Sequence, residues 1–171
     1  ETKPMAHDWT LYACLFLALW SAVIGGVFSA FSEFIMSGLL KADPVGAIDA
    51  MQQINRDVLK TQFVVGLILI APLSVAFAIY GCRTLDGAAR IALVIAPIVY
   101  LPSVFFMTIF GNVPMNNALA KLQPGASDAE PYWRRYGRVW TRLNHFRAVG
   151  SILTALLYLT AAVSILMGGE L

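Results

Sequence analysis

The chain has 171 residues, 58% of them hydrophobic and 13% charged, with a mean hydropathy of +0.70 and a formal net charge of +2. A water-soluble domain carries about 25% charged residues, so this composition excludes an ordinary soluble domain. The small net charge and the lack of a basic tail argue against a nucleic-acid partner.

Four stretches without Asp, Glu, Lys or Arg predict four membrane-spanning helices. Each stretch is at least 22 residues long, and about 20 apolar residues cross the hydrocarbon core of a bilayer. We therefore expect an all-α membrane protein, a four-transmembrane-helix bundle in contact with membrane lipid. Residues 1–171 form a single membrane domain in this prediction, with spans at about 9–32, 61–82, 91–111 and 146–168.

The first helix is expected to run from about residue 8 to residue 40, beyond what the bilayer requires. Side chains at every fourth position form a ridge that is mostly small: Ser21, Gly25, Ser29, Glu33 and Ser37. Small side chains let a neighbouring helix approach closely, so the ridge favours packing. Its carboxylate, Glu33, is expected to pair with Arg56 or Arg147 and to border a pocket.

The segment after the first span predicts a surface helix. Asp43 and Pro44 are a typical cap and first residue of a helix. Residues 44–60 are amphipathic but too short and too polar to span, so this helix is expected to lie on or over the bundle. It carries two candidate site residues, Asn55 and Arg56.

The third span contains Pro97 and Pro102, which predict a kink. The segment Gly111–Pro114 predicts a break at the membrane boundary, because a proline disfavours helix at the residue before it. A short helix should then follow from about residue 115 to residue 122. Asn112 and Asn116 flank Pro114, and they either cap the broken helix or contribute to a site.

The last helix is expected from about residue 131 to residue 167. Helical spacing places four of its side chains on one face: Trp133, Trp140, Asn144 and Arg147. His145 lies beside Asn144. For Trp133 and Tyr136, with Arg134 and Arg135, the pattern favours an interfacial belt at headgroup depth. Asn144, His145 and Arg147 adjoin the last span directly, which favours a functional role.

Lys and Arg are concentrated in the two larger connections, with few at the termini and in the turn at residues 83–90. The positive-inside rule then places both larger connections in the cytoplasm and both termini outside. The expected location is the bacterial inner membrane. Both connections lie on one side in this topology, so their polar residues should converge there as a single buried cavity.

Four segments together resemble the anthrone oxygenase-like integral membrane proteins, most of whose bacterial members have no assigned function. The segments are residues 26–36, 54–56, 111–116 and 140–147, which include the sequences GNVPMN and NHFR. The resemblance covers almost the whole chain, in order and with similar spacing. Glu33 and Ser37 stand where the family often has Asp and Pro.

The resemblance implies oxidation of a flat aromatic substrate, anthrone-type or phenolic, by O₂ without a metal or flavin. His145 would be the general base, and Asn112, Asn116 and Asn144 would donate hydrogen bonds to the developing enolate oxygen. Trp140 would stack on the substrate. Arg147, Glu33, Asn55 and Arg56 would complete the binding site.

Two main alternatives are kept, and transport is a weaker third, because the sequence has no internal repeat and the predicted membrane interior carries no charged pair. One is a metal or haem enzyme, although the two histidines, His7 and His145, are predicted on opposite membrane faces; a mixed site of His145, Glu33 and an asparagine is its remaining form. The other is a non-catalytic small subunit or assembly factor of a larger membrane complex. In that case the ridge on the first helix would dock a partner membrane protein, and a second copy of the chain is a further candidate partner.

Overall fold

The computed structural model describes residues 8–168, and this part of the chain is helical with short turns. Four helices are long and apolar enough to cross a membrane, as the charge-free stretches predict. They are Trp9–Lys41, Gln62–Thr84, Gly87–Leu119 and Ala129–Leu166. The predicted four-helix architecture is thus confirmed.

Residues 8–168 contain seven α-helical segments and three π-helical turns. The helices are α1 (Asp8–Ala30), α2 (Met36–Lys41), α3 (Pro44–Val58), α4 (Gln62–Thr84), α5 (Gly87–Tyr100), α6 (Val113–Leu119) and α7 (Ala129–Leu166). The π-helical turns are Phe31–Ile35, between α1 and α2, and Leu101–Phe106 and Thr108–Asn112, between α5 and α6.

The amphipathic helix α3 begins as its sequence predicts. The Asp43 side chain accepts a hydrogen bond of 3.1 Å from the Gly46 amide, and Pro44 is at the first turn. Gln52 on α3 donates to the carbonyls of Leu119 and Leu122, at 2.9 Å each. These bonds confirm that the two larger connections lie at the same end of the bundle. Which side of the membrane that end faces stays a prediction.

The predicted break at Gly111–Pro114 is wrong, because the chain remains helical from Gly87 to Leu119. The π-helical turn Thr108–Asn112 accommodates Pro114: the Val113 amide donates to the Thr108 carbonyl, five residues back. Asn112 is also held in place, since its Nδ2 donates to the Trp140 carbonyl at 3.2 Å. Packing against α7 therefore overrides the local preference of the residue before a proline.

Helix α7 is the centre of the bundle, because it packs extensively against both α1 and α5, while α4 packs against α5 and α1. The small-residue ridge of α1 contributes to the α1–α7 contact. A Cβ on Gly25 would lie 2.9 Å from Ile152 Cγ1 and 3.4 Å from Ser151 Cβ. The predicted packing role of this part of the ridge is confirmed.

Close packing of α7 at Gly150 gives a stability prediction. A Cβ there would lie 2.6 Å from Ser103 Cβ and overlap Ser103 Oγ. Gly150→Ala should therefore lower the free energy of unfolding by about 1–3 kcal/mol, the usual cost of overpacking. The matched control is Gly26→Ala, because nothing lies within 4 Å of a Cβ at Gly26. Thermal unfolding in detergent compares the two; equal midpoints would contradict the close contact.

The polar end of the bundle has its own apolar core, which we call the end cap. It joins α2, α3, α6 and the first turns of α7 through the buried side chains Met36, Ala47, Ile48, Met51, Leu119, Ala129, Trp133, Tyr136 and Trp140. A separate cluster fills the space between the spanning helices. The end cap brings together the segments whose polar residues are predicted to converge.

Candidate functional site

The face of α7 predicted from helical spacing is buried in the structure. Trp133, Trp140, Asn144 and Arg147 all lie inside, with Arg147 only 6% exposed. Arg147 is the last charged residue of α7 before a long apolar run. The sequence thus places a guanidinium group where the apolar part of α7 begins, and in the structure this group is buried.

Arg147 is held by neutral groups. Its Nη1 donates to Thr108 Oγ1 at 3.3 Å, and its Nη2 donates to Asn144 Oδ1. Its Cζ lies 4.1 Å from the centre of the Phe28 ring and 5.6 Å from that of Trp140. Among residues 8–168 its Nε has no hydrogen-bond partner and no carboxylate lies within salt-bridge distance. The site therefore holds a buried cation without a counter-ion from these residues.

Asn144 connects this cation to α1. Its Nδ2 donates to the Phe28 carbonyl at 2.6 Å and to Ser32 Oγ at 2.7 Å. The carbonyl can only accept and the guanidinium can only donate, so the partners on both sides fix the orientation of the amide. The result is a hydrogen-bonded chain, Arg147–Asn144–Ser32, that crosses from α7 to the π-helical turn after α1.

The aromatic residues of α7 form a stack inside the end cap. Trp133, Tyr136 and Trp140 have ring centres 5.5 and 5.7 Å apart, with nearly parallel planes. Trp133 is 2% exposed and Tyr136 is fully buried. The interfacial-belt prediction is therefore wrong for these two residues, because α2, α3 and α6 cover them. Arg134 and Arg135 are exposed, as the belt prediction requires.

Asn116 and Asn55 bind to this aromatic stack. Asn116 Oδ1 accepts from the Tyr136 hydroxyl and from Trp140 Nε1, at 2.8 Å each. Asn55 Nδ2 donates to the Tyr136 hydroxyl at 3.5 Å. Asn112 is buried beside them, and its Oδ1 has no partner among the described residues. These three amides thus share one environment with Trp140.

His145 lies in a different environment, an open groove of about 560 Å³ between the π-helical turn Phe31–Ile35, α2 and α7. Three of its lining residues are apolar: Met36, Leu40 and Gly137. The others are three cations, an imidazole and three hydroxyl side chains: Lys41, Arg138, Arg142, His145, Ser32, Ser37 and Thr141. None of these lining side chains is a carboxylate.

The structure thus brings the predicted site residues together in two groups. Asn55, Asn112, Asn116 and Trp140 belong to the end cap, and His145 belongs to the groove. Asn144 and Arg147 connect the two groups: Arg147 lies over the Trp140 ring, and Asn144 binds Ser32, which lines the groove. The sequence predicted one cavity for His145, Asn112 and Asn116. That prediction is wrong, because neither asparagine lines the groove of His145.

Glu33 and Arg56 are exposed. Among residues 8–168, Glu33 forms no salt bridge, so its predicted pair with Arg56 or Arg147 is not formed. The reason is geometric: a step of four residues turns an α-helix by about 40° more than a full turn. Three such steps separate Glu33 from Ser21, and the ridge therefore drifts off the buried face of α1.

Ser32 and Thr108 are the site residues that sequence reasoning missed. Ser32 lies eleven residues after the buried Ser21, close to three full helical turns, so it stays on the buried face. That spacing is a signal that could have found it. Thr108 offers no such signal, since its contact with Arg147 depends on the π-helical turns around it.

Metal-ligating side chains are not clustered in the described part of the chain. Residues 8–168 contain no group of three or more His, Cys, Asp or Glu that could hold a metal ion. The exposed Glu33 does not line the groove of His145. His7, which the metal alternative considers, lies outside the described residues.

Four helices long and apolar enough to span a membrane, with a polar network and a groove at one end of the bundle, are the features of an integral membrane protein. The sequence profile of the anthrone oxygenase family matches residues 57–166, more than half of the chain. The chain therefore belongs to the anthrone oxygenase family, which assigns it an oxygenase-like function at the level of the family. The match begins inside α3 and includes every α7 residue discussed above.

No curated protein and no solved structure matches the chain.

Proposed function

We propose that the protein is a membrane-embedded oxygenase that oxidises a flat aromatic substrate, anthrone-type or phenolic, with O₂ and without a metal or flavin. Membership of the anthrone oxygenase family supports the reaction class. The observation that carries the proposal is the groove at His145, whose lining combines an imidazole and three cations with apolar residues and contains no carboxylate.

The shape and composition of the groove suit such a substrate. Its volume of about 560 Å³ lies inside the range of about 300–1,000 Å³ that is usual for small-molecule sites. Leu40, which is 41% exposed, supplies apolar surface for a ring system. Because the groove is at the polar end of a membrane bundle, a hydrophobic substrate that partitions into lipid can reach it from the side.

The first step is removal of a proton from the acidic CH₂ group of the substrate by the neutral imidazole of His145. The electron pair of the broken C–H bond delocalises onto the carbonyl oxygen, which gives an enolate and an imidazolium. Arg142, Arg138 and Lys41 line the same groove, and their positive charges stabilise the developing negative charge.

The enolate is electron-rich enough to reduce O₂ by one electron, and the resulting radical pair combines to a carbon-bound peroxide anion. The imidazolium returns its proton to the peroxide. Removal of the second C–H proton then breaks the O–O bond, forms the new C=O group and releases hydroxide, which is protonated to water. One CH₂ group and one O₂ thus give one carbonyl and one water.

This proposal keeps His145 as the base. It gives Trp140, Asn112 and Asn116 structural roles in place of the substrate-binding and catalytic roles that the resemblance implies. Trp140 is 4% exposed and stacked on Tyr136, so it supports the end cap and does not offer a free face to a substrate. Asn112 and Asn116 are bonded to the Trp140 carbonyl and the aromatic stack. They position α6 and the π-helical turn against α7.

The alternative of a non-catalytic subunit lacks a specific observation in its favour. Its candidate docking surface was the small-residue ridge, and Ser21 and Gly25 of that ridge are buried, with Gly25 against α7.

The test is oxygen consumption by the purified protein in lipid nanodiscs supplied with anthrone. We expect protein-dependent uptake of one O₂ per anthraquinone formed, unchanged by prior treatment with a metal chelator. Empty nanodiscs and heat-inactivated protein measure the spontaneous oxidation of anthrone. Uptake no faster than in these controls would refute the proposal for this substrate, and loss of activity with the chelator would favour the metal alternative.

A further inference from the structure

The buried guanidinium of Arg147 requires an explanation that packing alone does not give. A charged group near the bilayer interior is costly and usually pairs with an opposite charge. Arg147 is 6% exposed, and its hydrogen-bond and cation–π partners within residues 8–168 are a hydroxyl, an amide oxygen and two aromatic rings. Its positive charge is therefore available to act on an anion formed nearby.

The hydrogen-bonded chain connects Arg147 to the groove, so the polarising effect of its charge extends to the groove. Arg147 donates to Asn144 Oδ1, and Asn144 Nδ2 donates to Ser32 Oγ. Hydrogen bonds in a chain polarise one another in the same direction, more strongly where water is excluded. Asn144 is fully buried, so this part of the chain is shielded from solvent.

Ser32 is the end of the chain, and it borders the groove that contains His145. Its oxygen accepts from Asn144, which leaves its own proton to donate to another acceptor. Among the hydrogen bonds of residues 8–168, Ser32 takes part only as that acceptor. A substrate oxygen in the groove is the acceptor that this arrangement lacks.

We propose that Ser32 donates a hydrogen bond to the substrate oxygen that becomes the enolate, and that Asn144 and Arg147 are positioning residues that orient and polarise this hydroxyl. This inference rests on the proposed function and adds a catalytic residue outside the part of the chain that the family profile matches. The hydrogen bond strengthens as the oxygen gains negative charge. It therefore lowers the barrier to proton removal more than it tightens binding of the neutral ketone.

The experiment measures the ionisation of bound anthrone without turnover. Anthrone is bound to the protein in nanodiscs under anaerobic conditions, and the absorbance of its anion is followed as a function of pH. The other groups that face the groove, His145, Arg142, Arg138 and Lys41, are present in every variant. Their contribution to the ionisation is therefore common to all the curves.

We expect Ser32→Ala to lower the ionisation constant of bound anthrone roughly 10- to 100-fold, the effect of one hydrogen bond to a charged group. The kcat for oxygen uptake should fall by a similar factor with little change in KM. The matched control is Ser29→Ala, which removes a half-buried hydroxyl one turn before Ser32 that does not line the groove. Among residues 8–168 the Ser29 hydroxyl has no hydrogen bond to the Asn144–Arg147 pair, so this variant should behave as the wild type.

A second variant tests the chain behind Ser32. Asn144→Asp keeps an oxygen for Arg147 but replaces the Nδ2 donor to Ser32 with an acceptor and adds a negative charge. It should lower the ionisation constant at least as much as Ser32→Ala. Equal ionisation constants in wild type, Ser32→Ala and Asn144→Asp, with binding and turnover intact, would overturn this inference alone. Wild-type protein that neither binds nor oxidises anthrone would refute the proposed function and this inference with it.

Discussion

Replacing His145 with alanine is expected to lower anthrone-dependent oxygen uptake by roughly 10²–10⁴-fold, the usual contribution of a positioned general base. The side chain is exposed in the groove and makes no hydrogen bond within residues 8–168. Its removal should therefore leave the unfolding temperature unchanged. Because the groove is open, added imidazole should enter the vacated space and restore part of the rate.

The matched control for this prediction is Phe146→Ala. Phe146 is the next residue of α7, is also exposed, and does not line the groove. It should keep wild-type turnover in the same nanodiscs. If His145→Ala keeps full turnover, His145 is not the base and the groove loses its chemical role.

The second large effect is on stability. Asn144→Leu should lower the free energy of unfolding by about 3 kcal/mol, because a buried donor left without its acceptor costs about 1–3 kcal/mol and a charged donor lies at the upper end of that range or above it. Interhelical hydrogen bonds in membranes average only about 0.6 kcal/mol each, so the two bonds from Nδ2 to α1 cannot produce such a loss. The larger part comes from Arg147, which would lose the acceptor of its Nη2.

Asn117→Leu is the control for this variant. Asn117 is an exposed asparagine of α6, and surface substitutions of this kind usually change stability by about 0.5 kcal/mol or less. Reversible unfolding in mixed detergent gives both values. A loss in Asn144→Leu as small as that in Asn117→Leu would show that Arg147 is stabilised without Asn144.

The fold was predictable because its strongest determinants are local. A run of about 20 apolar residues without charge has few alternatives to a spanning helix, and all four such runs are helices in the structure. The start of α3 was predictable for the same reason, since the cap at Asp43 and the proline after it are local signals. The predicted break at Gly111–Pro114 failed because tertiary contacts of Asn112 and a π-helical turn keep the chain helical there.

The site was predictable only in part. Helical spacing correctly placed Trp140, Asn144 and Arg147 on one buried face of α7, since that face follows from α-helical geometry alone. The relation of His145 to the amides depends on which helix covers each side of α7. Sequence does not contain that information directly, and the structure places Asn112 and Asn116 in the end cap and His145 in the groove.

Ser32 shows the same limit of sequence reasoning, because it is a site residue that the sequence did not reveal. Counting in steps of four residues selects Ser29 and Glu33, whereas the true repeat of about 3.6 residues keeps Ser32 on the face toward α7. Its partner Asn144 is more than one hundred positions away in the chain. A single sequence therefore gives the face of each helix, but not which residues of two faces meet.

Tracing of isotopic oxygen tests the central claim most directly. Purified protein in nanodiscs is given anthrone and ¹⁸O₂, and the quinone is examined by mass spectrometry early in the reaction. The account predicts one ¹⁸O atom in the new carbonyl of the quinone, formed at a rate that depends on wild-type protein and is lost in His145→Ala. Quinone that carries only ¹⁶O from water, or labelled quinone formed equally fast by His145→Ala, would contradict it.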